Sequence, residues 1–201
     1  ATDIETKNSV VVCSEVGCEH INEVCPAKLS ITAKIFIWGE RIYCIDGDRY
    51  GIHLYRRELT GDGLMRVCSL GTKYIEEQKT VEIEQCALVG SVLYYKGNVD
   101  DKVWNEKSGT YMVQRVIDYI GRIDLKTGTE EIVYEEKINN RLENITICAA
   151  QEEYVMFFHR KGTSVSADEL SYSTENKQSS VELKYLDKTA NKIISIFSSN
   201  A

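Results

Sequence analysis

The sequence has one proline in 201 residues, Pro26, and no apolar run longer than about six, far short of the roughly 20 that span a bilayer as a helix. Proline scarcity excludes a proline-rich linker. No basic stretch leading into an apolar h-region marks a signal peptide. Basic clusters are missing as well. Only "YRR" at 55–57 gathers arginines beside an aromatic, and the net charge is −7, which excludes a nucleic-acid partner. The motifs GxSxG, HExxH, GxGxxG and the phosphate-binding P-loop are absent. No amphipathic helix emerges either. The best stretch, "TKYIEEQKTVEIEQ" at 72–85, alternates from Thr80 onward as a strand does.

What is present points to strands. Twelve tyrosines accompany frequent valine and isoleucine, residues that suit a pleated, half-buried surface. Seven cysteines leave at least one thiol unpaired within a monomer. An odd thiol is a hazard in an oxidising compartment and none in a reducing or anaerobic one.

A hairpin pair recurs three times. "IFIWGERIYCIDGD" at 35–48 reads as strand, tight turn at Gly39-Glu40, strand; "IHLYRRELTGDGLMRVCSL" at 52–70 repeats the plan with a turn at 60–63. "EQCALVGSVLYYKG" at 84–97 and "YIGRIDLKTGTEEIVYEE" at 119–136 form a second unit. "NITICAAQEEYVMFFHRK" at 144–161 and "VELKYLDKTANKIISIFSS" at 181–199 form a third. The predicted organisation is an N-terminal strand and Cys/His arm over 1–32, then four-stranded antiparallel units over 33–71, 83–136 and 143–199. Four-stranded units that need a neighbour on each face point to an all-β, β-propeller-like fold. Propellers close with more blades than three. The ring is therefore part of a longer one, completed by the N-terminal strand, or completed by a second copy in a homodimer.

The first unit, "RIYCIDGDRYGIHLYRRELTGDG", resembles a YWTD-type blade of the low-density-lipoprotein-receptor propellers. Tyr43-Cys44-Ile45-Asp46 stands where that tetrad would, keeping Tyr and Asp, and Leu59-Thr60-Gly61 stands at the turn. The whole chain resembles a bacterial domain of unknown function related to those propellers, found in extracytoplasmic and lipoprotein-type proteins of anaerobic Gram-positive bacteria. Such proteins carry a CxxxxCxHxxxxCxA stretch, matched here by Cys13, Cys18, His20, Cys25 and Ala27. The resemblance implies the fold and an extracytoplasmic, cell-surface or secreted location. It brings no activity with it.

Cys13, Cys18, His20 and Cys25 supply the four Cys/His ligands of a structural zinc site, at a spacing that is not a standard finger. A disulfide between two of these cysteines, with His20 a bystander, and three reduced thiols are the alternatives. The remaining cysteines, Cys44, Cys68, Cys86 and Cys148, read as core residues in apolar strands, and His53 and His159 as satisfied structural histidines.

Two stretches read as long loops on one face, 97–111 and 161–179. Trp104 is the aromatic anchor of the first, with Asp100, Asp101, Tyr111 and Tyr172 as neighbours. The alternative is decoration, with Trp104 folded back. The function expected is non-catalytic: binding a protein or carbohydrate, or scaffolding, by an exported bacterial module. A propeller-type glycan hydrolase and a purely structural, self-assembling half-propeller are the alternatives. Adjacent Asp100 and Asp101 fit poorly the carboxylate separation that glycoside hydrolysis needs.

Overall fold

The computed structural model describes residues 32–48, 50–59, 63–106, 108–138, 143–162, 179–190 and 192–200. They form three four-stranded antiparallel sheets, each a meander in chain order. Sheet 1 holds β1 (Lys34–Trp38), β2 (Arg41–Asp48), β3 (Gly51–Glu58) and β4 (Met65–Leu70). A single-turn helix, α1 (Thr72–Glu76), precedes sheet 2, which holds β5 (Thr80–Val89), β6 (Val92–Asn105), β7 (Thr110–Asp124) and β8 (Thr129–Lys137). Sheet 3 holds β9 (Asn144–Gln151), β10 (Tyr154–Gly162), β11 (Ser179–Asp187) and β12 (Lys192–Asn200). The all-β architecture and its four-stranded units agree with the hairpin pattern of the sequence. Among the described residues no helix is long and apolar enough to cross a membrane.

The chain divides into two compact units at Leu70–Gly71, sheet 1 in the first and α1 with sheets 2 and 3 in the second. In sheet 1 the buried side chains Tyr43, Ile45 and Leu54 share one face. Phe36 stacks on Tyr43 from the next strand, ring centroids 5.5 Å apart and 6° from parallel. In the second unit, Val92, Tyr94, Ile120 and Tyr134 of sheet 2 pack on Ile145, Val155, Phe157 and Leu186 of sheet 3. Tyr134 and Phe157 meet at 4.7 Å between centroids. The buried Tyr94 hydroxyl donates to the Glu152 carbonyl at 3.1 Å, so its polar end is satisfied.

The registers show the repeat in three dimensions. In each sheet the fourth strand carries one extra residue opposite the same point of the third. Val67 bulges opposite Leu54/Tyr55, Val133 opposite Ile120/Gly121, and Ile196 opposite Leu183/Lys184. The residue facing that point on the second strand is the fifth of its strand in every case: Ile45, Lys96 and Phe158. Two independent anchors, the turn before the second strand and the bulge on the fourth, thus align the sheets residue by residue. A bulge adds local twist at a fixed place, so its recurrence gives the sheets the same local shape.

The stretch 97–111, read from the sequence as a loop, is instead strand. β6 runs on to Asn105 and β7 begins at Thr110. Gly97 misleads because glycine usually punctuates strands. Here it faces Tyr119 across the ladder, and Gly121 faces Tyr95 in the same way. A Cβ at Gly97 would lie 2.4 Å from the Tyr119 ring, and one at Gly121 would lie 2.1 Å from the Tyr95 ring. Each glycine is the floor on which the other strand's tyrosine lies. Tyr95 and Tyr119, both fully buried, meet edge to face at 5.9 Å. The hydroxyl of Tyr74, the buried residue of α1, donates to Glu135 at 2.6 Å and anchors the helix.

Candidate functional site

β5 pairs with β6 only as far as Thr80↔Asp100, and β8 pairs with β7 only as far as Ile117↔Lys137. Among the described residues, 101–105 and 110–114 therefore pair only with one another, a two-stranded ribbon that outruns its sheet. The Gly109 N–H closes its turn on the Asn105 carbonyl at 2.9 Å, with Gly109 in the left-handed region at φ 63°. Directly opposed residues share a face. One face presents Trp104 against Tyr111 and Lys102 against Val113; the other presents Val103 against Met112. The Trp104 and Tyr111 rings meet at 5.1 Å and 69°. Trp104 is 51% exposed and Tyr111 68%; Val103, Met112 and Val113 are exposed too. An isolated two-stranded ribbon is marginal in water, and an apolar one more so.

Asp100 and Asp101, at the ribbon's root, are successive strand residues and point to opposite faces. They cannot address one substrate atom together. Asp101 instead accepts a hydrogen bond from the Lys102 N–H at 2.7 Å. The structure thus joins Trp104 to Tyr111 and separates the two aspartates. Tyr172, with most of 161–179, lies outside the described residues, as do Cys13, Cys18, His20 and Cys25.

Beneath the ribbon is a charged knot that the sequence reading missed. Lys96 and Asp118 are fully buried. Lys96 Nζ lies 3.5 Å from Asp118 and donates to Glu84. Arg115 Nε donates to Asp118 Oδ1 at 2.5 Å, and the other carboxylate oxygen accepts the Ile145 N–H of sheet 3 at 2.9 Å. Asn98 Nδ2 donates to Glu84 at 2.7 Å. Glu84 is the extra residue of a bulge in β5, which turns it toward Lys96 and Asn98. Partial burial raises its pKa, but the Lys96 hydrogen bond and charge, with Arg115 nearby, outweigh that and hold it below the usual range. The only sequence signal was the polar run Lys96, Asn98, Asp118 in otherwise apolar strands.

A second polar cluster lies where sheets 2 and 3 meet. Buried His159 of β10 accepts at Nδ1 from Lys184 Nζ of β11 at 3.1 Å, and Lys184 also donates to the Tyr134 hydroxyl of β8 at 3.0 Å. Tyr134 donates in turn to Glu136 at 2.5 Å. With Nδ1 accepting, the ring proton sits on Nε2, which has no partner among the described residues. His159 is therefore only half satisfied, unlike His53, which bonds Ser69 at 3.1 Å and Asp48 at 3.3 Å. Burial, and then the Lys184 charge, hold the His159 pKa below its ordinary value; Lys161 adds to this, while Glu136 and Glu182 oppose it. The unfolded chain accordingly takes up the proton first as pH falls. The stability that neutral His159 supports is intact above about pH 6.5 and is lost progressively below it. A His159→Gln variant is expected to show a shallower fall of Tm with pH between about 6.5 and 5. Equal slopes in thermal scans of the two proteins would contradict this.

The cysteines divide differently from the sequence reading. Cys44 is buried, and its thiol is pushed up to about 11 by burial and then by Asp46. Cys68 is half-buried, whereas Cys86 and Cys148 are exposed rather than core. Both exposed thiols line a groove of about 290 Å³ with Gln85, Ala87, Ile147 and Ala149, between edge strands β5 and β9. The reason is local. Cys148 is the extra residue of a bulge in β9, and Cys86 alternates with the inward Ala87. Burial raises the Cys148 pKa, which keeps it a thiol rather than a thiolate at neutral pH.

Among solved structures, the chain is similar to the AtxE2 isopeptidase in its apo form, at TM-score 0.31 and 13% identity, over 80% of this chain and 32% of that one. A serine-to-alanine variant of the same isopeptidase gives 0.32 and 11% over the same shares. The tricorn protease gives 0.23 and 10%, over 80% of this chain and 25% of that one. The chain thus spans about a third or less of these structures. No protein-family model and no curated protein matches it.

Proposed function

We propose that this chain is a non-catalytic binding or scaffolding module of an exported bacterial protein, its three sheets serving as blades of a β-propeller. The observation that carries the binding role is the ribbon. It holds Trp104, Tyr111 and Val113 in solvent on one face, beyond the reach of the sheet that anchors it. Exposed apolar surface of this kind marks an interaction site, and aromatic anchors dominate such sites. The charged knot beneath it supports the reading, because buried, bonded charges hold the root of the ribbon in one geometry. The divergent aspartates weigh against glycan hydrolysis. The blade reading is supported by the sequential meanders and by the bulge that recurs in all three sheets. A zinc ion on Cys13, Cys18, His20 and Cys25 would be a structural clip, and the role of the ribbon does not depend on it.

The ligand class expected is a protein or a carbohydrate, and the test separates them. An oligosaccharide array is probed with the wild type and with the Trp104→Ala/Tyr111→Ala double variant. In parallel, a photo-crosslinking residue at position 113 reports a protein partner on intact cells. Loss of array signal or of the crosslinked adduct in the double variant is expected, with stability changed by less than about 0.5 kcal/mol because both rings are exposed. Equal binding by both proteins would remove the ribbon from the site. Release of reducing ends from a bound glycan would make the chain an enzyme.

A further inference from the structure

The aligned registers show which positions of sheets 1 and 3 correspond to the faces through which sheets 2 and 3 meet. Sheet 2 meets sheet 3 through Val92 and Tyr94 of β6, Ile120 of β7 and Tyr134 of β8, all buried. One repeat later these positions are Tyr154, Met156, Leu183 and Phe197. Tyr154 stands for Val92 as the first residue of its strand and Met156 for Tyr94 as the third. Leu183 stands for Ile120 at the bulge, and Phe197 pairs with Leu183 as Tyr134 pairs with Ile120. The substitution preserves apolar character at every position. The environment changes: Tyr134 is 8% exposed and Phe197 is 58% exposed. Phe158, which stands for Lys96, is exposed, and so is Ile194 on the same face. Tyr154 and Tyr185 meet there at 5.1 Å between centroids, tilted by 44°. This face is built to continue the repeat, and the described chain supplies nothing to cover it.

The receiving face can be read the same way. Sheet 3 receives sheet 2 on Ile147 and Ala150 of β9, on Val155 and Phe157 of β10 and on Leu186 of β11. In sheet 1 the equivalent positions are Ile35, Ile37, Ile42, Cys44 and Arg57, fixed by the pairs Ile35↔Cys44, Ile37↔Ile42 and Ile42↔Arg57 against Ile147↔Phe157, Ala150↔Val155 and Val155↔Leu186. Ile35 is 61% exposed and Ile37 is 59% exposed. An edge strand with two large aliphatics in water is a liability that folded proteins normally cover.

We propose that the open face of sheet 3, centred on Phe158, Ile194 and Phe197, docks against the Ile35/Ile37 face of sheet 1 in a second copy of this chain. The contact reproduces, between copies, the face-to-face packing that joins sheet 2 to sheet 3 within one. The second copy is the occupant because it carries the repeat-equivalent receiving edge, with Ile35 and Ile37 exposed on it; Arg57, which stands where Leu186 does, is the one charge among those positions and is itself buried. The interface is heterologous, one face against a different one, rather than a face against itself. The proposal rests on the registers alone and is separate from the ribbon, so either can fail without the other.

The test is the mass of the 201-residue chain by light scattering, across a concentration series, for three proteins. Wild type is expected at twice 22.8 kDa or above. Phe197→Asp and Ile37→Asp, each at an exposed position, are each expected at the monomer mass with an unchanged far-UV spectrum. Mixing the two variants is expected to restore a dimer that neither forms alone, because one carries an intact receiving face and the other an intact sheet-3 face. A monomeric wild type overturns the proposal. So does an Ile37→Asp protein that associates as wild type does, which would mean that the sheet-3 face pairs with itself. A mixture that stays monomeric also overturns it.

Discussion

Asp118→Ala is expected to lower the unfolding free energy by about 3–5 kcal/mol, the range found when one partner of a buried ion pair is removed. The side chain is fully buried, and its two oxygens hold Arg115, Lys96 and the Ile145 N–H. Alanine leaves the Lys96 ammonium in the interior with Glu84 as its one remaining carboxylate, and leaves a backbone donor of β9 without its acceptor. Against a total stability of about 5–15 kcal/mol for a typical domain, such a loss is a large fraction of the whole. Urea titration reads it as a fall in midpoint at constant slope. The Lys96→Met/Asp118→Leu double variant is expected to lose less than Asp118→Ala alone, because it removes the unpaired charge together with its partner. A shift below about 1 kcal/mol for Asp118→Ala would show that water reaches the knot.

Gly121→Val is expected to cost about 3 kcal/mol or more, at the upper end for overpacked cores. A Cβ at Gly121 would stand 2.1–2.3 Å from atoms of the Tyr95 ring. The ring cannot swing aside, because its hydroxyl is bonded to Glu130 and its face is held by Tyr119. Pairing Gly121→Ala with Tyr95→Leu tests the mechanism. If the contact is the cause, the double variant loses less than the sum of the singles, a coupling read from the two denaturation midpoints. Additive losses would assign the cost of Gly121→Ala to the backbone alone. Gly97→Ala is the mirror experiment against Tyr119, with the same sign expected.

These two positions also show where reading the chain one residue at a time stops working. The hairpin with its turn at Gly39-Glu40 was legible because turn chemistry is local: the residue that permits the turn sits in it. The stretch 97–111 was misread for the same reason. Gly97 and the polar run after it look like a turn, and the evidence that Gly97 belongs in a strand lies twenty-two positions away, in Tyr119. Trp104 and Tyr111 are both legible as exposed aromatics, but not their cross-strand pairing, which only the register of β6 on β7 creates. Lys96, Asp118 and Arg115 went unremarked because no spacing motif links them; only the register of β6 on β7 and a bulge at Glu84 bring them together.

By itself the sequence determined the all-β class, the strands and their grouping into four-stranded units, because alternation, β-branched content and turn residues act over a few neighbours. It also determined the absence of a helical membrane span in the apolar runs it contains. The tertiary structure decided what depends on distant residues meeting. It made 97–111 a ribbon rather than a loop, put Cys86 and Cys148 at the surface, buried a charged knot under the ribbon, and left Phe158, Ile194 and Phe197 of sheet 3 exposed. Burial is a property of what lies across a sheet or against its face, and a bulge of one residue is enough to turn a side chain from one environment to the other.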